Sequence, residues 1–339
     1  MYTSFTVAHA GPSISVQDAG RTGVLRFGVS TSGAMDRVSY RLANAAVDNA
    51  AGHPAIEVSL GGLTLICTDG AITVAIVGGH FSVSLNKQAL PPWCLVTVSA
   101  GDTLSVKPGA WGSWCYVAFA GLLEADQWLN SYSVHLNSGV CGKTIQSEDT
   151  VHVHSARVLG EQVVSLLEPD VLAPKPVFRA VLGPQQRFFN VDDQQRLFDS
   201  EFTVSNQYDR MGMRLSGHNL AANASLDMPS EPISRGSLQV PGHGDPICLM
   251  ADHHTAGGYP KIATVISADQ DALAQKRTGD TIQFEQVTAM DAVHAVREFN
   301  SYEHMLLENM QANRQGIDAR LWSNNLVSGV SNADDFDAQ

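Results

Sequence analysis

The sequence predicts a mainly β protein made of two similar units, and three observations support this. Short alternating runs rich in Val, Ile and Thr fill residues 55–120, separated by Gly, Asp, Asn or Pro, a pattern typical of a closed barrel or a sandwich. Similar runs return after residue 176. An acidic-Thr turn also precedes an alternating strand in GDTLSV (101–106), EDTVHV (148–153) and GDTIQF (279–284).

The first unit is expected to place a strand, a loop and one helix before its run of strands. Residues 1–30 hold a short strand pattern, SFTVAHAG, and then the Gly-rich segment QDAGRTGVLRFG. Residues 32–49 predict a helix, which Ser32 or Asp36 would cap. One apolar stripe follows this helix: Met35, Val38, Leu42, Ala45 and Ala46.

A Pro-rich linker divides the chain. Residues 167–176, LEPDVLAPKP, contain three prolines, which disfavour both helix and sheet. We therefore predict a first unit at 1–166 and a second at 177–288, the latter with one short helix over DDQQRLFDS. Residues 289–339 form an extension, in which 289–315 are expected to be helical and the acidic end, SGVSNADDFDAQ, to be disordered.

Composition excludes several classes of function. The 339 residues carry a net charge of −13 without a basic run, so no nucleic-acid partner is expected. The five cysteines are widely spaced without a CxxC pair, which favours reduced, mostly buried thiols. The first residues lack the pattern of a signal peptide, and no apolar stretch approaches the roughly 18 residues of a membrane helix. We therefore expect a cytoplasmic protein.

The Gly-rich loop near the N-terminus contains a candidate site. In SVQDAGRTG, Asp18 and Arg21 stand three residues apart among glycines. Glycines permit sharp turns on which polar side chains converge, and an arginine offers a fork for a carboxylate or a phosphate. The alternative is a structural ion pair in which Asp18 and Arg21 brace their own loop.

Three further segments allow a structural or a functional interpretation. GVSTSGAMD (28–36) does not match the G-x-S-x-G nucleophile motif, so helix capping or anion binding fits it better. Glu57 alternates with apolar neighbours in AIEVSL, and if it points inward it must find a partner. Asp209 and Arg210 precede a glycine, and turn chemistry explains them as well as function does.

The stretch DHHTAGGYPKIATVISAD (252–269) lacks the usual metal and nucleotide motifs. Adjacent His253 and His254 would point to opposite faces of a strand, so they make a poor chelating pair, and no metal site is predicted. The chain also contains no GxxxxGK[ST] segment and no GxGxxG between a strand and a helix. If the protein uses ATP, a P-loop of the usual kind does not bind it.

The same stretch still suits ligand binding. The Gly257-Gly258 pair allows the backbone to approach a ligand closely, and Lys261 would neutralise an anion. Asp252 would orient the ligand or take a proton. The structural alternative is a Gly-Gly hairpin that starts the strand IATVIS, with Lys261 in water.

Seven segments in one order resemble a known family. They are VQDAGRTG, FGVSTSGAMDRVSYRLANAAVDN, AIEVSLGG, YVAFAGL, DRMGMRLSG, GSLQVPGHGDPICLMADHHTAGGYPKIATVISAD and LAQKRTGDTIQF. From about residue 6 to 287 they resemble the family of 5-oxoprolinase C-type subunits, also called the biotin-dependent carboxyltransferase or allophanate hydrolase subunit 2 family. This family includes an antagonist of a sporulation-kinase inhibitor and half of the carboxyltransferase region of urea carboxylase.

The resemblance implies a fold and a reaction. The fold would be two tandem cyclophilin-like β-barrel units with short helices. The chain would work with a B-type, kinase-inhibitor-like subunit and an A-type, lactam-handling subunit, and would be inactive without them. Together they would hydrolyse 5-oxoproline to glutamate at the expense of ATP, with magnesium. A lactam is a stable amide and phosphorylation of its oxygen creates a leaving group, so the pocket must hold a carboxylate and stabilise an oxyanion.

The resemblance also nominates site residues. The catalytic candidates are Asp18, Arg21, Asp36, Asp252 and Lys261. The two cations suit an anionic group, and the three aspartates suit proton transfer or orientation. Substrate contacts are expected from Gln17, Ser32, Gly33, Asp209, Arg210, Thr255, Gly257, Gly258 and Tyr259. On this basis Lys261→Ala is expected to lower activity and to leave the fold intact.

Two departures from the family pattern leave two alternatives open. Tyr132 stands where relatives carry an arginine in a Ser- and Gly-rich segment, and His253-His254 replace an Arg-Gln type of pair. One alternative is a carboxyltransferase component of the urea-amidolyase type. Its biotin would be carried by a partner, because the chain has no MKM attachment motif. The other is a regulatory protein that binds a kinase-inhibitor-like partner.

Overall fold

A computed structural model describes residues 1–160, 163–220 and 229–313 of the chain. It is mainly β, as the sequence predicts. The strands that precede the linker are β1 (Tyr2–Ala10), β2 (Ser15–Gln17), β3 (Ala55–Val58), β4 (Leu63–Asp69), β5 (Ala71–Val77), β6 (Ser82–Leu85), β7 (Gln88–Leu90), β8 (Cys94–Ser99), β9 (Thr103–Lys107), β10 (Cys115–Phe119), β11 (Leu122–Leu123), β12 (Thr150–His154) and β13 (Val164–Ser165).

These strands form two antiparallel sheets that enclose the first core. One sheet has the order β11-β12-β1-β4-β9-β6-β7, and the other has the order β13-β8-β5-β10-β3-β2. Phe5 of the first sheet and Phe119 of the second are fully buried, with ring centroids 5.4 Å apart. Alternation of apolar and polar residues along these strands places the apolar side chains between the sheets.

The second unit is a closed barrel of strands in the order β14-β21-β18-β19-β16-β15-β22. The strands after the linker are β14 (Val177–Leu182), β15 (Glu201–Tyr208), β16 (Gly212–Ser216), β17 (Glu231–Pro232), β18 (Ser237–Gln239), β19 (Ile247–Leu249), β20 (Ala256–Gly257), β21 (Lys261–Val265) and β22 (Thr281–Gln286). Parallel pairing of β14 with β22 closes the barrel around Phe202 and Phe284. The short strands β17 and β20 pair with each other beside it.

Four α-helices accompany the strands in the described ranges: the first, third and fourth pack together at the seam between the two units, and the second packs against β22 of the barrel. They are α1 (Arg37–Ala46), α2 (Val191–Asp199), α3 (Ser267–Ala274) and α4 (Ala289–Asn313). Arg37 of α1 forms an ion pair with Asp271 of α3 at 2.9 Å, and Arg41 of α1 pairs with Glu303 of α4. None of the helices in the described ranges is long and apolar enough to cross a membrane.

Several sequence predictions can be compared with these elements. The three acidic-Thr turns do precede strands, namely β9, β12 and β22. The helix expected at 32–49 is shorter, because Ser32 and Gly33 have φ angles of 49° and 87° and Asp36 caps it instead. The helix expected at 289–315 is seen as α4, whereas the predicted disordered tail lies outside the described residues.

The unit boundaries and the cysteines complete the comparison. The segment 167–176 contains one 3-10 turn, Asp170–Leu172, and neither α-helix nor strand. The boundaries at 166 and 177 stay predictions. All five cysteines are free in the structure and all but Cys141 are buried, so the expected burial is confirmed and the reduced state stays a prediction.

Candidate functional site

The loop 18–34 owes its shape to two backbone hydrogen bonds. The Arg21 N–H donates to the Thr31 carbonyl at 2.8 Å, and the Ala34 N–H donates to the Asp18 carbonyl at 3.1 Å. Gly20 sits at the narrow point with a φ of 85°, and a Cβ there would lie 2.9 Å from the Thr31 carbonyl oxygen. Only glycine fits that position without strain.

Asp18 fastens this loop to the segment 131–133. Its carboxylate accepts hydrogen bonds from the hydroxyls of Ser131 (2.7 Å) and Ser133 (2.5 Å) and from the backbone N–H groups of Tyr132 and Gly20 (both 2.7 Å). The carboxylate is therefore fully occupied within the protein. Asp18 positions the loop and has no free oxygen for proton transfer.

Arg21 is buried and mostly unpaired. Its side chain is 1% exposed, and its Nη2 donates to the Ser133 carbonyl. Nε and Nη1 have no hydrogen-bond partner among the described residues. The guanidinium carbon lies 5.6 Å from the ring centroid of Trp128. The expected Asp18–Arg21 ion pair is not formed, because both side chains bind Ser133 instead.

Arg21 lines a cleft between the two units, with a volume of about 390 Å³. The first unit contributes the loop segments 28–30 and 128–140, and the second unit contributes 253–256. The cleft residues that matter for chemistry are Arg21, Ser30, Trp128, His135, His253 and Thr255. A buried guanidinium with free N–H groups favours an anion, above all a planar carboxylate.

Three histidines, His135, His253 and His254, line this cleft. The Nδ1 of His253 donates to the His254 carbonyl at 2.6 Å, which leaves Nε2 as the acceptor nitrogen. Burial lowers the pKa of His253, so the ring is neutral at pH 7. His135 donates from Nε2 to the Asp252 carbonyl and accepts from the Ser138 hydroxyl at Nδ1. A neutral imidazole with a free nitrogen is suited to general-base chemistry.

The sequence-based picture of the histidine pair is wrong in one respect. His253 and His254 lie in the loop between β19 and β20, not in a strand, and both line the cleft. Among the residues that the structure describes, no group of three His, Cys, Asp or Glu side chains is placed to hold a metal ion.

Arg210 and Asp252 meet in a buried ion network at the seam. Arg210 is 2% exposed and donates from Nε and Nη2 to the Asp252 carboxylate, both at 2.9 Å. Its Nη1 donates to the Glu57 carboxylate, and its Nη2 also donates to the Gly33 carbonyl at 2.7 Å. Arg210 therefore ties the second unit to two segments of the first.

Glu57 is the partner that connects this network to the first core. The other carboxylate oxygen of Glu57 accepts from the Tyr116 hydroxyl and the Met35 N–H, both at 2.8 Å. Burial acts to lower the pKa of Arg210, but the charges of Asp252 and Glu57 outweigh it and raise the pKa. The network is thus charged and fully hydrogen-bonded, which is the condition for burying ions at tolerable cost.

Asp36 also lies at the seam and away from the cleft lining. Its carboxylate caps α1 by accepting from the Ser39 N–H at 2.9 Å, and it accepts from the Gln275 amide at 2.7 Å. Burial and the charge of Asp271 raise the pKa of Asp36 to about 6. The structure therefore gives Asp36 a capping and docking role.

Two other nominated residues, Gln17 and Asp209, bind their own surroundings, and a third, Ser32, does not. The Gln17 amide donates to the Ser15 hydroxyl and the Val134 carbonyl, both at 2.9 Å. Asp209 accepts from the N–H groups of Met211 and Gly212, as turn chemistry predicts. Ser32 is buried, and its hydroxyl has no partner within the described part of the chain.

Lys261 lies outside the cleft. Its ammonium donates to the Pro232 carbonyl at 3.2 Å and lies 3.6 Å from the Glu231 carboxylate. The side chain is buried at the start of β21, where it lines neither the cleft nor the cavity beside it. The catalytic assignment of Lys261 therefore stays a prediction without geometric support.

A second cavity of about 340 Å³ adjoins the cleft on the barrel. Gly257, Gly258, Tyr259 and Asp209 line it, so these nominated residues are separated from Arg21. His254 and Ala256 line both spaces and form the wall between them. Of the nominated residues, only Arg21 and Thr255 line the cleft itself.

Sequence reasoning missed several contributors to the site. They are Trp128, His135, Tyr116 and the unprotonated nitrogen of His253. One signal did exist for the network: Glu57 is an acid among apolar residues in a strand, and it required a partner if buried. Nothing local marks Trp128, which reaches the site through the tight turn 128–131, where Leu129 and Asn130 have positive φ angles.

The fold and the cleft define a two-unit β protein in which a buried arginine lines a cleft at the seam. The sequence profile of the family "carboxyltransferase domain, subdomain A and B" matches residues 27–286. The chain therefore belongs to this family.

Two named relatives and one solved structure show what this chain is similar to within the family. The chain is 36% identical over 294 residues to the C-type subunit of 5-oxoprolinase from Haemophilus influenzae, covering 85% of this chain and 93% of the relative. It is 32% identical to the Escherichia coli protein of the same name over 88% of this chain and 96% of the relative. It also resembles the solved urea amidolyase of K. lactis, at a TM-score of 0.80 and 26% identity over 91% of this chain. The chain spans only 20% of that larger enzyme.

Proposed function

We propose that this chain is the C-type subunit of an ATP-dependent 5-oxoprolinase, which hydrolyses 5-oxoproline to glutamate together with separate A-type and B-type subunits. Two relatives at 36% and 32% identity, each matched over nearly its whole length, are named as this component of 5-oxoprolinase. This supports a multi-subunit hydrolase complex. We expect the chain to be inactive alone. We further expect the complex to be cytoplasmic.

Arg21 is the observation that carries the proposal. 5-Oxoproline is a small ring with one carboxylate, and Arg21 lines a cleft of suitable size with two N–H groups, at Nε and Nη1, that have no hydrogen-bond partner among the described residues. Leaving these donors buried without an acceptor is costly, so a bound carboxylate recovers a favourable interaction. The neutral His253 faces the same cleft and would accept a proton from the attacking water.

The described residues fit ATP with magnesium less well than they fit a carboxylate. The cleft offers one unpaired guanidinium, and no acidic cluster suited to a metal ion occurs within the described ranges. Magnesium-bound nucleotide usually requires carboxylate ligands together with phosphate-binding backbone. We therefore assign ATP and magnesium to the partner subunits and route no step of this chain through them.

The test is reconstitution from co-expressed A-type, B-type and C-type chains. The complex should release glutamate from 5-oxoproline only when ATP and all three chains are present. Arg21→Gln should lower kcat/KM by about 100-fold, since it removes a charge-assisted contact worth roughly 3 kcal/mol. Arg187→Gln is the matched control, because Arg187 is exposed and lies outside the cleft. Absence of glutamate release from the assembled complex would reject the proposal.

The likeness to urea amidolyase supports one alternative, a carboxyltransferase component. Its TM-score of 0.80 rests on the fold, at 26% identity. In that case biotin would arrive on a partner and the substrate would be urea-like. A stable complex with the B-type chain that releases no glutamate but transfers a carboxyl group from carboxybiotin would favour this function. The same complex without either activity would favour a regulatory binding protein.

A further inference from the structure

The second cavity lies against the outer face of the barrel. Side chains alternate along β16, so Met213 and Leu215 are buried inside the barrel and Arg214 points outward. Arg214 pairs in register with Ile247 of β19, and both side chains line the cavity. Its volume of about 340 Å³ falls within the range of small-molecule sites.

Arg214 gives this cavity a cation without a partner. Its guanidinium makes no side-chain hydrogen bond or ion pair with any other described residue. The side chain is half-buried, so a molecule in the cavity can contact it without a change in the protein. An arginine of this kind offers two parallel N–H groups to a carboxylate.

Asp209 gives the same cavity a carboxylate. Its Oδ1 accepts from the N–H groups of Met211 and Gly212 at 2.8 and 3.2 Å, whereas its Oδ2 accepts from no other described residue. Asp209 is exposed and lines the cavity. Gly212 adjoins this carboxylate, and Arg214 follows two residues further along β16, a separation of about 7 Å. Two opposite charges therefore border one space without forming an ion pair.

Much of the remaining lining is apolar. Ile233, Ile247 and Leu249 line the cavity, and Tyr259 adds a side chain that is 47% exposed. Apolar surface of this kind gains free energy when an apolar group covers it. The ligand that fits this lining has one positive charge, one negative charge and an apolar part.

We propose that the second cavity binds a free α-amino acid with an apolar side chain. Arg214 binds the carboxylate, the Oδ2 of Asp209 accepts from the ammonium group, and the side chain covers Ile247 and Leu249. 5-Oxoproline does not meet this requirement, because its nitrogen belongs to an uncharged amide. The site adjoins the cleft across the segment 254–256, yet its ligand is independent of the reaction proposed there.

The test uses the full chain, without ATP or partner subunits, and three probes with the same carbon skeleton. L-Leucine carries both charges, 4-methylpentanoate lacks the ammonium group, and 3-methylbutylamine lacks the carboxylate. Titration followed by NMR at pH 7 should give a dissociation constant for L-leucine on the order of 0.1 mM. Each probe with a single charge should bind about tenfold more weakly, because it loses one charge-assisted hydrogen bond.

Two variants should separate the two charges. Arg214→Gln should weaken L-leucine and 4-methylpentanoate at least about tenfold and leave 3-methylbutylamine within about twofold. Asp209→Asn should weaken L-leucine and 3-methylbutylamine and spare 4-methylpentanoate. Asparagine keeps the Oδ1 acceptor for the two backbone N–H groups, so the turn is retained. Arg187→Gln, at an exposed arginine outside the cavity, is the matched control, and unchanged thermal midpoints would show that all three variants fold.

Three results would overturn the inference. One is the absence of L-leucine binding by the unmodified chain. Another is L-leucine binding that is unchanged in both Arg214→Gln and Asp209→Asn, which would place the amino acid elsewhere. The third is L-glutamate binding as tight as that of L-leucine, which would indicate a product site; we expect at least about tenfold weaker binding, because a second carboxylate would meet the apolar lining. A failed 5-oxoprolinase assay leaves these results unchanged, since they need neither ATP nor partners.

Discussion

Arg210 and Arg21 are equally buried arginines near the same seam, yet their surroundings differ completely. Arg210 is 2% exposed, and its three nitrogens bind Asp252, Glu57 and the Gly33 carbonyl. The Arg21 side chain is 1% exposed and binds only the Ser133 carbonyl, with Nε and Nη1 unpaired among the described residues. Position along the chain does not separate them, since each stands in a Gly-containing loop with an adjacent or nearby Asp.

The number of hydrogen-bond partners distinguishes an arginine with a structural role from one that is available to a ligand. A buried ion that is completely paired contributes to the arrangement of the fold, and removal of either partner leaves an uncompensated charge. A buried cation with free donors contributes little to stability, so its presence beside a cleft points to a ligand. We therefore expect variants of the Arg210 network to change stability first and variants of Arg21 to change activity first.

The largest expected effect comes from Arg210→Met. It leaves Glu57 and Asp252 buried without their common cation, so the free energy of unfolding should fall by about 3–5 kcal/mol. Arg21→Met is the matched control, because it removes a side chain of the same length whose one hydrogen-bond partner among the described residues is the Ser133 carbonyl. Its effect on stability should stay within about 1 kcal/mol. Denaturant unfolding of both variants measures this, and equal losses would erase the proposed distinction.

The next largest effect concerns Asp36. Its carboxylate is hydrogen-bonded, but burial and the nearby charge of Asp271 disfavour the ionised form. Its folded pKa of about 6 lies above its ordinary value of 3.8, so the folded state binds its proton more tightly than the unfolded state does. The contribution of Asp36 to stability is therefore complete below about pH 4 and is lost as the pH rises through about 6. Asp36→Asn keeps a good capping residue and removes the titration.

Unfolding free energies measured from pH 4 to 7 should show this titration. The unmodified chain should lose up to about 3 kcal/mol relative to Asp36→Asn across that range. Asp271 and Arg37 face Asp36 and are unchanged in both proteins, so their own titration largely cancels in the difference. A difference that does not vary with pH would show that Asp36 is an ordinary, fully stabilised ion, like the members of the Arg210 network.

The sequence predicted the strands and helices better than the side-chain contacts between distant segments. Alternating runs identify strands because side-chain direction has a period of two, and the Asp36 cap precedes its helix in the expected way. The partners of Arg210 lie 153 and 42 residues away, and no local pattern encodes such contacts. Arg21 does line the cleft, whereas Asp18, Asp252 and Arg210 look the same in sequence and turn out to be hydrogen-bonded within the protein.

A smaller effect tests how Asp18 holds the loop that carries Arg21. Ser131→Ala removes one of four donors to the Asp18 carboxylate and should lower the free energy of unfolding by about 1–2 kcal/mol. Ser301→Ala is the control, since Ser301 is exposed on α4, lies outside the cleft, and its hydroxyl donates to the Arg297 carbonyl. If Ser131→Ala loses much of its activity and keeps its stability, then Asp18 serves activity, as proposed for Arg21, and not the stability of the fold.

The smallest expected effect concerns Lys261, for which the sequence and the observed contacts predict different roles. Its sequence context nominates it as a cation for substrate, which predicts that Lys261→Ala lowers activity and leaves the fold intact. Its contacts are those of a paired ion, because the ammonium donates to the Pro232 carbonyl and lies 3.6 Å from a half-exposed Glu231 carboxylate.

If these contacts decide the role of Lys261, Lys261→Ala should cost about 1 kcal/mol of stability and leave kcat/KM of the assembled complex within about twofold. Lys175→Ala, at another partly exposed lysine–carboxylate pair, is the matched control. A loss of activity without a loss of stability would show that a paired cation can still serve the substrate, and the rule drawn from Arg210 and Arg21 would fail for lysine.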